Sequence, residues 1–207
     1  MVAQRKTITL GGAGTGLGIE SSSFRNGMPH ESVLEMDVLT ADGAVLTCSP
    51  TVHADLFTGI PNSYGTLGYA LRLSIELEPV HPYVALRHVR CHSAAQAAEA
   101  LRQGCETADF VDGTWFSPTE VYVTLGTWAD TADEVSDYTG EHIYYRSIQS
   151  RRTDALTVRD YLWRWDTDWF WCSRAFGAQN PRIRRWIPRR YLRSDVYWKL
   201  VAFEKKH

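Results

Sequence analysis

Five glycines fall within eight residues, from Gly11 to Gly18. Glycine enters positive φ without strain and lacks a Cβ, so this density predicts irregular backbone that a ligand can approach closely. A β-prone run, Thr7 to Leu10, leads into it, and Ile19, Glu20 and the hydroxyls of Ser21, Ser22 and Ser23 follow. The two common phosphate motifs do not fit. A Gly-x-Gly-x-x-Gly fingerprint begun at Gly12 meets Leu17 at its third glycine, and one begun at Gly14 meets Ile19. A Walker pattern begun at Gly11 needs lysine where Leu17 stands. Consecutive amides followed by hydroxyls can still form an anion-binding concavity. The plain alternative is a glycine-rich surface turn.

Downstream, Leu34, Met36 and Val38 alternate with Glu35 and Asp37, and Asp42-Gly43 turns the chain into Val45 to Cys48, which predicts a hairpin. Asp55 to Tyr69 reads as a helical turn and then a loop broken by Pro61, Asn62, Gly65 and Gly68. Leu71, Leu73, Ile75 and Leu77 alternate with polar residues up to Pro79, the cleanest period-two pattern in the chain. A strand over Tyr83 to Val89 follows. Ser93 then caps a helix with Ala94, Ala97, Ala98 and Leu101 on one face and Gly104 at its end, before a strand through Val121, Val123 and Leu125. Thr157 and Asp160 cap a helix carrying Val158, Tyr161, Leu162 and Trp165. Asn180-Pro181 opens a short helix that Pro188 stops, and Ser194 to Phe203 forms a last one. The fold class is α+β with antiparallel pairing prominent, no internal repeat, and a boundary near Pro79 to Pro82.

The 207 residues, 44% hydrophobic and 22% charged, can fill one or two cores, which excludes a disordered chain, a collagen and a disulfide mini-scaffold. No apolar run approaches the roughly 18 residues of a membrane span, and Met1 to Leu10 lacks a signal-peptide core. A cytoplasmic protein, at most peripheral to a membrane, is expected. Cys48, Cys91, Cys105 and Cys172 form no Cys-x-x-Cys pair, which predicts reduced thiols. His88, Cys91, His92 and Cys105 match no usual zinc spacing, so no metal is expected, and no Gly-x-Ser-x-Gly elbow supports a serine nucleophile.

Net charge is −2, yet nine basic residues meet only two acids between Arg182 and Lys206, and six of the eight tryptophans lie between Trp163 and Trp198. Trp163, Trp165, Trp169, Phe170 and Trp171, with Arg182, Arg184, Arg185, Arg189 and Arg190, can cover a flat apolar substrate or meet a membrane surface. They can equally pack as core beside a solvated basic face. Nucleic acid is not an expected partner of a slightly acidic chain.

Three stretches carry a family resemblance: Thr7-Ile8-Thr9-Leu10-Gly11-Gly12, Gly14-Thr15-Gly16-Leu17-Gly18-Ile19-Glu20-Ser21-Ser22-Ser23, and Glu35-x-Asp37-Val38-Leu39-Thr40-Ala41-Asp42-Gly43. They resemble the second half of an FAD-binding domain of the p-cresol methylhydroxylase and vanillyl-alcohol oxidase (VAO) type. Asp55-Leu56-Phe57 and Ile60-Pro61-x-Ser63-x-Gly65-Thr66-Leu67-Gly68 extend the match. The wording Gly18-Ile19-Glu20-Ser21-Ser22-Ser23 is similar to the flavin-dependent Δ24-sterol reductases. Weaker likeness runs through Phe110-Val111-Asp112-Gly113, Tyr144-Tyr145 and the aromatic stretch to Asn180-Pro181.

The resemblance implies that residues 1–80 are the second half of an FAD-binding domain and 81–207 part of an α+β cap domain. It implies FAD contacts from Gly12, Ala13, Gly14, Thr15, Gly16, Leu17, Gly18, Ile19, Glu20, Ser21 and Ser22, with Gly68, Tyr69 and Ala70 near the dinucleotide. A carboxylate beside pyrophosphate is repelled, so Glu20 is expected to support the loop by accepting hydrogen bonds from its amides, with a catalytic part the lesser reading. The family's first FAD subdomain precedes the matched region, whereas Met1 stands six residues before it. The chain therefore reads as an internal piece of a longer flavoenzyme, or as one whose missing half is a separate chain. The implied activity is hydride transfer between flavin and an apolar, sterol-like substrate, with NAD(P)H a further candidate partner. The catalytic residue stays unassigned, with Tyr122, His142, Tyr144 and Tyr145 as candidate proton donors. The alternative is a non-catalytic flavoprotein fragment that acts only in self-association or membrane-surface binding.

Overall fold

The computed structural model describes residues 6–138, 143–166, 174, 177–193, 196, 199 and 202–203. Contacts group the chain into two units, Ile8–Pro79 and a second that begins at Val80 and includes Lys6 and Thr7. Both mix helices with antiparallel sheet, so the class is α+β.

In the first unit, β1 (Val33–Leu39), β2 (Val45–Cys48) and β3 (Tyr69–Ile75) form a sheet of order β2-β1-β3. The β1–β2 hairpin turns at Gly43, φ +85, where Asp42 accepts a hydrogen bond from the Ala44 N–H at 3.2 Å. Val33, Met36, Val38, Cys48 and Ile60 make its core, with Leu73 and Ile75 packed on them. Leu34 and Leu71, both expected inside, are 53% and 57% exposed. Each is the extra residue of a bulge. The ladder steps from Val33–Ile75 to Glu35–Ser74, and from Asp37–Arg72 to Val38–Ala70. An unpaired residue reverses the facing of the strand beyond it, so Val33 and Ala70 take the core side instead. Leu77 lies beyond β3 and is 79% exposed.

The glycine run also departs from expectation. Thr7 to Leu10 forms no strand, and Leu10–Thr15 is a helix, α1, with Thr9 as its N-cap, Oγ1 accepting from the Gly12 N–H at 3.1 Å. Glycine costs roughly 1 kcal/mol in a helix relative to alanine, so packing must override propensity. Gly11 lies against Ala70, and Ala13 is buried. α2 (Ser23–Asn26), a 3-10 turn (Pro29–Ser32) and α3 (Ala54–Gly59) complete the unit.

The second unit holds β4 (Tyr83–Cys91), β5 (Phe110–Ser117), β6 (Glu120–Ala129) and β7 (Thr153–Thr157) in the order β5-β6-β4-β7. Helix α4 (Ala94–Thr107) covers one face, packing Ala97 and Leu101 on Cys91, Val121, Val123 and Leu125. Ser93 caps it as predicted, accepting from the Gln96 N–H at 3.2 Å, while Gln96 Oε1 accepts from the His92 N–H at 2.8 Å. Gly104 is not its end. A Cβ there would stand 2.5 Å from Leu125 Cδ2, so the glycine serves close helix–sheet packing and the helix runs on to Thr107.

The other face lies under α5 (Tyr144–Ser150) and α6 (Val158–Trp163), with Val84, Leu86, Phe110, Tyr122, Tyr138, Ile148, Leu156 and Tyr161 in its core. Thr157 caps α6, accepting from the Asp160 N–H at 3.1 Å, but the helix stops before Trp165, which packs on the core from beyond it. Asn180 caps α7 (Pro181–Arg184), which ends ahead of Pro188. The expected Ser194 to Phe203 helix lies mostly outside the described residues. No helix among the described residues is long and apolar enough to cross a membrane.

Candidate functional site

After α1 the backbone turns through Leu17 at φ +52, a conformation rare for a branched side chain. Several amides of the segment are satisfied internally: Gly16 and Gly18 donate to the carbonyls of Gly12 and Ala13 at 3.0 Å, and Ala13 donates to that of Thr9 at 2.9 Å. Glu20 is tied to the start of α2 through its backbone, its N–H donating to Ser23 Oγ and its carbonyl accepting from the Ser23 N–H, each at 2.9 Å. Among the described residues, no acceptor is found for the backbone N–H groups of Leu17, Ile19 and Ser22. Gly14 is buried, yet a Cβ added there would meet nothing within 4 Å. Further along the chain Ser21 and Ser22 are buried, and Ile19 is exposed. Uncommitted amides a few residues along the chain from a glycine with open space at its α-carbon suit an anion approached through the backbone.

The Tyr64 N–H donates to the Thr15 carbonyl at 3.2 Å, holding the following loop against the end of α1. Gly68 has a reason independent of any ligand: at φ +146, a Cβ would lie 2.5 Å from the Leu39 carbonyl oxygen. Tyr69, paired with Leu39, is exposed, whereas Ala70 is turned inward against Gly11. Gly11 and Ala70 are thus brought together, while Tyr69 faces away.

Of the second unit's candidates, Tyr122 is buried with its ring edge-on to Phe116, and Tyr145 donates to Gln179 Oε1 at 2.5 Å. Tyr144 is buried, and burial holds its phenol protonated far above the ordinary tyrosine range. His142 lies outside the described residues. Sequence reasoning weighed His88 only as a metal ligand. It is buried and stands in a row with Thr124 and Asp112 across three strands, its Nδ1 2.9 Å from Thr124 Oγ1. Arg164, missed entirely, donates to Asp112 Oδ2 at 3.0 Å and to the Tyr161 carbonyl at 2.7 Å. The available signal was the alternation Phe110, Asp112, Thr114, Phe116, a strand with polar residues on its inner face.

Trp165 packs edge-on to Tyr144 at 4.8 Å, so part of the aromatic stretch is core. Trp186 is 77% exposed with the Arg185 guanidinium 5.3 Å from its ring. Trp169, Phe170, Trp171 and Cys172 lie outside the described residues. Cys48 and Cys91 are buried free thiols whose pKa values burial pushes up, and Cys105 is an exposed free thiol.

No protein-family model matches the chain. The Delta(24)-sterol reductase of Homo sapiens is 34% identical over 128 residues, covering 61% of this chain and 25% of that protein. The Delta(24)-sterol reductase of Pisum sativum is 31% identical over an alignment of 215 residues, covering 96% of this chain and 35% of that protein. The chain therefore spans only a quarter to about a third of these relatives' length. A glucooligosaccharide oxidase from Acremonium strictum with a 6-S-cysteinyl, 8α-N1-histidyl FAD superposes with a TM-score of 0.54 at 11% identity, over 78% of this chain and 36% of that one. A VAO-type flavoprotein from Myceliophthora thermophila gives 0.52 at 21% identity, over 64% and 26%. In sequence the chain is related to part of the Δ24-sterol reductases, and in fold to part of the VAO-type flavoproteins.

Proposed function

We propose that this chain is part of an FAD-dependent oxidoreductase acting on an apolar, sterol-like substrate. The first unit supplies one side of the FAD phosphate cradle and the second unit forms part of the cap that holds substrate. The observation that carries the reading is the Gly14–Ser22 segment, where an open α-carbon and three uncommitted amides coincide with the wording that resembles the Δ24-sterol reductases. Bound flavin supplies hydride chemistry, exchanged with the substrate and with NAD(P)H as the second redox partner.

The chain's own residues have narrower tasks. The N–H groups of Leu17, Ile19 and Ser22 donate to phosphate oxygens, and Gly14 lets those oxygens approach. Glu20 keeps the turn in place through its two backbone bonds to Ser23. The test is titration of the purified chain with FAD, read in the visible flavin bands. Binding that weakens about tenfold in Gly14→Leu, with the circular dichroism spectrum unchanged, supports the reading. A colourless preparation that FAD cannot convert defeats it for this chain.

A second reading is favoured by the exposed Tyr64, Tyr69, Leu71 and Leu77 of the first unit, 75%, 68%, 57% and 79% accessible. Such apolar exposure supports self-association, and Arg185 with Trp186 supports contact with an anionic lipid surface. Size-exclusion chromatography and vesicle sedimentation at two salt concentrations check it, since headgroup binding weakens with salt. A monomer indifferent to vesicles excludes this reading.

A further inference from the structure

On the face of the second unit's sheet opposite α4, β5 presents Phe110, Asp112, Thr114 and Phe116, and the ladder sets Asp112 beside Thr124 and Thr124 beside His88. Tyr144 and Arg164 lie against this row. Five side-chain atoms here are buried without a well-formed hydrogen bond: His88 Nε2, Asp112 Oδ1, Thr114 Oγ1, Tyr144 Oη and Arg164 Nε, the Tyr144 hydroxyl and the Arg164 guanidinium interacting with each other. Their residues include three of the most enclosed polar groups among the described residues, His88 at 4% exposure, Arg164 at 3% and Tyr144 at 2%. Native folds hold only a few such atoms per hundred residues, so a group of five on one sheet face points to something that satisfies them together.

The unmet donors and acceptors define the chemistry of that group. Arg164 and Asp112 neutralise each other, so no net charge awaits a counter-ion. Arg164 Nε can only donate, Asp112 Oδ1 can only accept, and Thr114 and Tyr144 can do both. A neutral hydroxyl, which gives and accepts, fits this set. The walls are apolar rings, those of Phe110, Phe116, Tyr122 and Tyr161. An entrance is at hand: a cavity of about 670 Å³ is lined by Phe116, Glu120, Tyr145, Gln149 and Gln179 among others. From Phe116, Thr114 is about 7 Å and Asp112 about 13 Å along the strand.

We propose that this row recognises the hydroxyl group of an otherwise apolar ligand, which enters past Phe116. The site rests on the apolar-substrate reading above, and it would hold the hydroxyl of that substrate.

The test uses the purified chain without flavin, with cyclohexanol as the probe and cyclohexyl methyl ether as its counterpart that accepts but cannot donate. Cyclohexanol should raise the thermal midpoint, and calorimetry should show the ether binding about tenfold or more weakly. Thr114→Val and Tyr144→Phe keep shape while deleting one polar atom of the row each. Both should abolish the preference for the alcohol without lowering the ligand-free midpoint. Equal responses to alcohol and ether, or none to either, overturn the proposal. So does a ligand-free midpoint that falls in both variants while the alcohol has no effect, because that outcome assigns the atoms to internal water. FAD binding without alcohol preference removes this site alone. Alcohol preference without FAD binding removes the flavin reading alone.

Discussion

Arg164 Nη2 lies 3.0 Å from Asp112 Oδ2, and its guanidinium carbon sits 3.9 Å from the centre of the Tyr161 ring. The two side chains are only 3% and 17% exposed. Removing one partner of a buried pair strands the other charge, whereas replacing both with apolar groups does not. Arg164→Ala should therefore cost about 3–5 kcal/mol in urea unfolding, and Arg164→Met combined with Asp112→Leu should recover most of it. Equal losses in the single and double variants would contradict this account.

Two glycines of the first unit should respond in opposite ways. Gly68→Ala forces a Cβ to within 2.5 Å of the Leu39 carbonyl at φ +146, so a loss of roughly 2–4 kcal/mol is expected. Gly14→Ala meets open space inside α1 and should hold stability level or raise it by up to about 1 kcal/mol. Chemical denaturation of the two variants measures the contrast.

His88 gives a sign for pH dependence. Its pKa is depressed below the ordinary 6.5, chiefly by burial, with Asp112 and Asp154 opposing and Arg164 assisting. Between that depressed value and 6.5 the unfolded chain carries a proton that the folded chain does not. The contribution is complete above 6.5 and is lost as pH falls below it. Acidification from about pH 7 to about pH 5 should lower the urea midpoint, and His88→Phe should flatten that slope. The imidazole proton resonances should show no titration centred near 6.5.

Ser93 should behave as an ordinary N-cap. Ser93→Ala removes the acceptor for the Gln96 N–H and should cost about 1 kcal/mol, whereas Ser93→Asp should cost little. Thermal melts of the three proteins decide between a capping role and mere solvent exposure.

The caps were legible because they depend on local chemistry: Ser93, Thr157 and Asn180 each accept from the amide that their position predicts. The β1–β2 hairpin and β4 were legible from alternation and turn residues. Three other features depended on tertiary context. α1 forms although its glycines disfavour a helix, because its backbone packs close to Ala70. Gly104 lies within α4 because Leu125 leaves no room for a side chain. β5 hid because Asp112 and Thr114 occupy inward positions where a pattern search expects apolar residues. The glycine-serine segment was singled out by composition, but which amides are left uncommitted is a property of the turn at Leu17.

Leu34 and Leu71 lie on opposite strands, and the slip that one introduces the other cancels. Val33–Ile75 at one end and Leu39–Tyr69 at the other keep the same phase, and only the stretch from Glu35 to Asp37 is displaced by a residue. Length changes in this sheet can thus be absorbed as matched deletions, one residue from each strand, without sliding the flanking loops out of step.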